Sequence, residues 1–279
     1  QLEIPARAQV IRVLMDELTR LASHLLWWGA LAMDLGAFTP FFYSFREREM
    51  INEIMEDTCG ARLTMNYIVP GGLMMDLHPD FQRKVKEFLR LFRSKIHEYD
   101  ELVTGNIIFQ SRTKNVGVIS KEDAISYGCS GPTARGSGVS CDIRKLYPYE
   151  VYDTLQFDEV VEHGGDSFAR YKVRIGEMIQ SMHIIDQLID NIPEGEIQAK
   201  TKAVLKLPKG DFYSRVETAR GELGVYIISE GGTTPYRIKF RSPGFSNLSA
   251  LDHMVRGGKI GDLMATMGTL DLVIPDIDR

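Results

Sequence analysis

Two apolar stripes at helical spacing constrain this chain more than any other feature. Ile11, Leu14, Leu18, Leu21, Leu25 and Trp28 recur at alternating intervals of three and four, and Phe168, Tyr171, Ile175, Met178, Met182, Ile185 and Ile189 do the same. That period places each set along one face of an α-helix, and such a face is stable only when buried against another element. The first helix should start behind Pro5 and end by Gly36 and Pro40; the other should run from Asp166 to about Asn191 and be closed by Pro193. Between them, Ser44 and Glu47 have the S-x-x-E spacing of a capping box, which predicts a second helix from there through about Thr58. A third should follow His78-Pro79-Asp80, with Phe81, Val85, Phe88, Phe92 and Ile96 turned inward. Long helices with such stripes pack as a bundle.

The pattern then changes. From 106 to 150 the periodicity fades and glycines accumulate at 117, 128, 131, 136 and 138, which predicts irregular backbone. After residue 200 the period becomes two. Tyr236, Ile238 and Phe240 alternate with Arg237, Lys239 and Arg241, and Leu223 to Ser229 is rich in strand formers, with Glu230-Gly231-Gly232-Thr233 as the turn between them. An antiparallel hairpin is expected there, then a helical tail from about Asn247 to Met267. The expected fold is mainly α with a smaller β element (α+β): helical over 6–105, irregular over 106–150, a long helix within 160–192, β over 200–242 and a helical tail over 246–279. A chain of 279 residues can bury a substantial core, and with no repeat or linker in sight a single domain over 1–279 is expected.

Composition narrows function by exclusion. A net charge of −5 offers no basic surface for a phosphate backbone, so nucleic acid is not an expected partner. The longest strongly apolar run, Leu25 to Leu35, is about half of what crosses a hydrocarbon core, and Asp34 interrupts its end. No transmembrane helix or secretory signal is read, and a cytoplasmic location, peripheral to a membrane at most, is expected. Cys59, Cys129 and Cys141 form no C-x-x-C pair and are read as reduced, buried thiols; the histidines lack H-x-x-x-H spacing, so no metal is expected in this chain. The methionines fall mostly at helical spacing and read as core filler.

Asp34 stands out because it ends an apolar helix where water should be scarce, so its carboxyl would need a partner or hold its proton. It is either a cap or ion-paired core acid, or a proton donor. The glycine-rich segment from Gly128 to Gly138 matches neither nucleotide-binding pattern. It is either a loop approaching a partner and presenting Arg135, or an ordinary connection. Phe45-Arg46-Glu47-Arg48-Glu49 reads as a solvated helix face, with an interface as the other possibility. No Ser, His and acid constellation points to a self-contained hydrolase.

Several strings in order resemble the D-type subunit of respiratory complex I, counterpart of the mitochondrial 49 kDa subunit, in a family related to the large subunit of nickel-iron hydrogenases. They include Arg7-Ala8-Gln9, Arg20 to His24, Met33-Asp34-Leu35-Gly36-Ala37, Thr39-Pro40-Phe41-Phe42, Phe45 to Glu49 and Gly60-Ala61-Arg62. Further on come Gly131-Pro132 with Arg135, Asp142 with Arg144-Lys145, Glu217 with Arg220 to Tyr226, Arg241 with Pro243-Gly244-Phe245, and Asp278-Arg279. The resemblance implies a hydrogenase-large-subunit-like fold and a quinone-site role in a proton-translocating NADH:quinone oxidoreductase. The partners it implies are an iron-sulfur subunit, other peripheral-arm subunits and a membrane-arm subunit, at the cytoplasmic side of the inner membrane. Quinone is then the substrate, and the iron-sulfur cluster belongs to the partner.

Carried over by position, Asp34 matches the family's acid that hydrogen-bonds a quinone-site histidine, and Asp271 and Val273 match positions lining the quinone cavity. Arg62 and Thr64 match positions near the partner's cluster. Val273 and Asp276 stand where hydrogenase relatives carry nickel-binding cysteines, which leaves nickel without thiolates. The family's histidine and tyrosine for the quinone head group lie upstream of the matching part, so the chain is expected to begin partway into its domain. At Thr64 many relatives carry histidine; threonine does not titrate near neutral pH, which implies a cluster potential that depends little on pH and suits a low-potential quinone such as menaquinone. A nickel-containing membrane-bound hydrogenase-type large subunit and a non-catalytic assembly scaffold remain the alternatives.

Overall fold

The computed structural model describes residues 2–202 and 204–278; Gln1 and Arg279, the second half of the terminal Asp278-Arg279 match, lie outside them. Behind Pro5, helix α1 (Ala6–Asp34) spans 29 residues, about 44 Å at the usual rise. Its apolar stripe is buried along its whole length. Gly36, at φ 95°, turns the chain back, with its N–H on Met33 O and that of Ala37 on Ala32 O. Helix α2 (Phe38–Cys59) then returns along α1 and stops at Gly60 in the left-handed conformation. The two approach closely at Gly29, where a β-carbon would collide with Ser44 Oγ.

Ser44 and Glu47 are therefore not a capping box. They lie inside α2 and are buried, because Pro40 sits in the first turn, where its missing N–H costs nothing, and the helix has already started at Phe38. The same helical period buries Glu47 within the charge run read as solvated, and its carboxylate accepts from Tyr99 Oη at 3.0 Å. Arg46 and Glu49 of that run do face solvent.

Two short strands, β1 (Ile68–Val69) and β2 (Gly72–Leu73), lead to α3 (Phe81–Tyr99), whose Phe81, Val85, Phe88, Phe92 and Ile96 are buried as expected. The segment read as irregular holds four short helices, α4 (Ile107–Thr113), α5 (Lys121–Ser126), α6 (Gly131–Arg135) and α7 (Ile143–Leu146). Asn106, Ser120 and Asp142 cap three of them with side-chain oxygens. These helices are too short to show a period, and caps were their available signal. The long helix α8 (Ser167–Ile189) starts at its cap Asp166 and packs on α1 and α3.

The hairpin gains a third strand. β3 (Gly210–Thr218), β4 (Gly221–Ser229) and β5 (Arg237–Arg241) form an antiparallel meander in that order, with Glu217 opposite Glu222 and Ile227 opposite Ile238. The tail is not one helix but four pieces, α9 (Pro243–Ser249), α10 (Leu251–Val255), α11 (Ile260–Leu270) and α12 (Ile274–Ile277). Gly257, at φ 74°, and Gly258 break it. The main core joins α1, α2, α3 and α8, matching the mixed α+β expectation.

The three cysteines are free but only partly buried, and burial pushes their thiols up to about 11 for Cys59 and Cys129 and about 12 for Cys141. Of the methionines read as core, Met74, Met75, Met264 and Met267 are exposed. Among the described residues no helix is long and apolar enough to cross a membrane.

Candidate functional site

Helix α1 is the rail along which the candidate residues are arranged. At its C-terminal end stands Asp34, and the structure corrects its expected setting: the side chain is exposed and makes no hydrogen bond or ion pair among the described residues. The reason is geometric. Leu31 and Ala32 are the last α1 residues turned into the core, and Asp34 lies one step past them on the rim. Apolar surroundings exist beside it rather than around it: a pocket of about 150 Å³ lined by Ala32, Leu35, Ala37, Val103, Ile108 and Phe109. Phe38, Ile107, Ile260 and Met264, on elements meeting at this end, are exposed.

The C-terminal tail comes to the same end. Trp27 Nε1 donates to Gly268 O at 2.7 Å, and a β-carbon on Gly268 would stand 3.9 Å from Asp34 Oδ2. Three residues on, Asp271 holds φ 56° and turns the chain out of α11. Arg220 fastens it, with Nη2 on Oδ1 at 3.2 Å and Nε on its carbonyl at 3.1 Å, while Nη1 reaches Ser23 Oγ at 3.2 Å. Asp271 Oδ2 is buried without a hydrogen bond among the described residues. Val273, partly buried, precedes α12 and accepts from Asp276 N–H at 3.0 Å. The structure thus brings Asp34 and Asp271 to one half of α1, with Val273 two residues beyond Asp271.

Arg62 and Thr64 are elsewhere. They follow the far end of α2, about 33 Å of helix from its start beside Asp34. Arg62 is exposed and paired to Glu49 and Glu56. Thr64 is exposed at φ 52°, an unusual conformation for a β-branched residue.

Sequence reading missed the most heavily charged part of the interior. Arg135, on a segment read either as presenting it to a partner or as an ordinary connection, is fully buried: Nε lies 3.1 Å from Glu177 Oε1 and Nη1 2.9 Å from Glu217 Oε1. Glu177 also accepts from His24 Nε2 at 2.8 Å. Beside them Glu17 takes Arg20 at 3.2 Å, Arg144 at 3.0 Å, and the hydroxyls of Tyr152 and Ser181 at 2.6 Å each, while Arg144 also holds Asp142 at 2.7 Å. Burial pushes Glu17 upward, but the Arg20 and Arg144 guanidiniums and the two hydroxyls hold it down to about 2. Burial lowers His24 despite its bond to Glu177, so the imidazole is neutral and its Nε2–H is the donor. Among the described residues, Arg170 and Arg174 have no carboxylate within ion-pair distance; burial lowers them to about 9 and about 10, and Arg174 lies 4.5 Å over the Trp27 ring.

One signal could have found this network. Glu17, Arg20 and His24 on α1, and Arg170, Arg174, Glu177 and Ser181 on α8, recur at three and four spacings among apolar residues, so each helix carries a polar stripe that has to face a partner.

Among the described residues, no group of three or more His, Cys, Asp or Glu is placed to hold a metal ion. A family model described as the respiratory-chain NADH dehydrogenase 49 Kd subunit matches residues 34–279. The chain is 55% identical over 278 residues to the C/D subunit of the NADH-quinone oxidoreductase of Bacteroides fragilis, covering 100% of this chain and 52% of that protein. It is 48% identical over 279 residues to the D subunit of the Desulfotalea psychrophila enzyme, with 100% and 75% covered, and 46% identical over 278 residues to that of Geobacillus kaustophilus, with 99% and 76% covered. The chain spans about half the length of the C/D relatives it matches.

Proposed function

This chain belongs to the family of the 49 kDa subunit of respiratory-chain NADH dehydrogenase, and on that premise we propose that it forms one wall of a cavity in which quinone is reduced beside an iron-sulfur subunit. Quinone takes two electrons from the neighbour's cluster and two protons from side chains and leaves as quinol. Asp34 is the proton-relay acid, Asp271 and Val273 are cavity wall, and Arg62 and Thr64 stand near the neighbour's cluster. The work is done within a proton-translocating NADH:quinone oxidoreductase, with peripheral-arm and membrane-arm subunits as partners, at the cytoplasmic side of the inner membrane.

The observation that carries this reading is that α11 passes Asp34 at Gly268 and leads three residues on to Asp271, tied through Arg220 to Ser23 in the same half of α1, beside an apolar pocket and exposed apolar side chains. Exposed apolar surface of this kind marks a place where another protein sits. The test is the assembled complex carrying Asp34→Asn and Asp271→Asn together: quinone reduction should be lost with the subunits still associated. Retained turnover would leave the chain as an assembly scaffold.

Thr64 sets a separate expectation. With no imidazole there, the neighbouring cluster's potential should change little with pH in a redox titration, and Thr64→His should introduce a slope. Histidine adopts the left-handed conformation more readily than threonine, so the substitution should fold normally. A wild-type potential that already falls steeply with pH would contradict this account.

A further inference from the structure

Asp16 lies on the face of α1 that carries Thr19, Arg20 and Ser23, and it makes no hydrogen bond or ion pair among the described residues. Two cavities meet at it. One, of about 200 Å³, is lined by Arg20, Ser23, Tyr149, Glu217 and Arg220 as well as Asp16 and Thr19. The other, of about 220 Å³, shares Asp16 and Thr19 and continues to Met65, Tyr67 and Ile68. Together they form a groove across α1 that ends at Arg220, on whose far side Asp271 is held. Arg20 Nη1 and Tyr67 Oη, which border the groove, are buried and lack partners among the described residues, as does Asp271 Oδ2. Unpaired buried polar atoms beside cavities of this size, with Asp16 and Thr19 lining both, are satisfied by water.

We propose that this groove is a water-filled proton path and that Asp16 is its exchange group. Solvent protonates the Asp16 carboxylate; the proton then passes along water and the hydroxyls of Thr19 and Ser23, each able to accept and donate, to the Asp271 carboxylate. Asp16 is left ionised to take the next proton. The path rests on the reading of Asp271 as quinone-cavity wall. Burial, then the charges of Glu17 and Glu150, push the Asp16 carboxyl up to about 7 against the guanidiniums of Arg20 and Arg12; Tyr149 and Glu217 face the same groove. An acid exchanges protons best when its pKa lies near the working pH.

In the assembled complex, Asp16→Asn keeps the shape but cannot release a proton. Quinone reduction should fall about tenfold and lose its pH dependence around neutrality, with Asp16→Glu restoring both. Infrared spectroscopy should show a carboxyl band that titrates near pH 7 and vanishes in Asp16→Asn. The folded protein keeps a proton that unfolded aspartate has already lost, so stability falls as pH rises from about 4 to about 7, and Asp16→Asn should flatten that fall. An unchanged pH profile, or a band titrating only in the ordinary carboxylate range, overturns the proposal. If the band behaves as expected while turnover survives Asp34→Asn with Asp271→Asn, the cavity reading and the path's end point fail, and Asp16 stands as an exchange group alone.

Discussion

Arg135→Met is expected to remove about 3–5 kcal/mol of folding stability at neutral pH, the usual result of breaking a buried ion pair from one side. Methionine fills much of the arginine stem's volume, so the loss is mainly electrostatic: Glu177 and Glu217 are left buried without their shared cation. In the wild type, burial raises Glu177, and Arg135, followed by the His24 hydrogen bond, holds it far below the ordinary carboxylate range. A depressed carboxylate contributes stability that is present above its unfolded value, here 4.5, and lost as pH falls through its folded one. Without Arg135 that contribution disappears, so the gap between variant and wild type should be widest at neutral pH, persist through mild acid and close only in strong acid, well below the unfolded value of 4.5. Thermal unfolding at both conditions measures it. Arg256→Met, which removes an exposed partner of Asp252, should leave stability nearly unchanged, because solvent and salt screen that pair. Equal effects of the two substitutions would mean that the buried network contributes nothing particular.

Asp34→Asn should lower quinone turnover by about 10²-fold, the lower end of what a positioned acid or base contributes. The amide retains size and polarity but cannot deliver a proton. Because Asp34 is exposed and unpaired among the described residues, folding should be untouched, and assembly and cluster spectra should match the wild type. The loss should fall on kcat with little change in KM, since proton delivery, not quinone contact, is removed. Asp34→Glu should recover part of the rate. Turnover equal to wild type would remove Asp34 from the mechanism.

The two substitutions probe positions whose burial the sequence misled on, at Asp34, or left open, at Arg135. Asp34 looked buried because the residues before it are apolar, yet a helix end extends past the core it helped to form. Around Arg135 the glycines could mean a partner-facing loop or an ordinary connection, and in the fold they let backbones close in: a β-carbon at Gly131 would stand 2.5 Å from Arg220 O and one at Gly136 2.9 Å from Arg170 Cγ. The close fit around the loop seals the arginine inside.

Period and local chemistry were legible from the residues alone. The stripes of α1, α3 and α8, the stop at Gly36, the cap at Asp166 and the alternation in β5 are each set by neighbours within a few positions, and the ordered strings were sufficient to identify the family. What only the tertiary structure decided is which polar faces meet. Glu17 finds Arg144 127 positions away and His24 finds Glu177 153 away. A helical or strand period reports which side of an element is polar, but whether that side meets water or an opposite charge depends on the surface the fold brings against it.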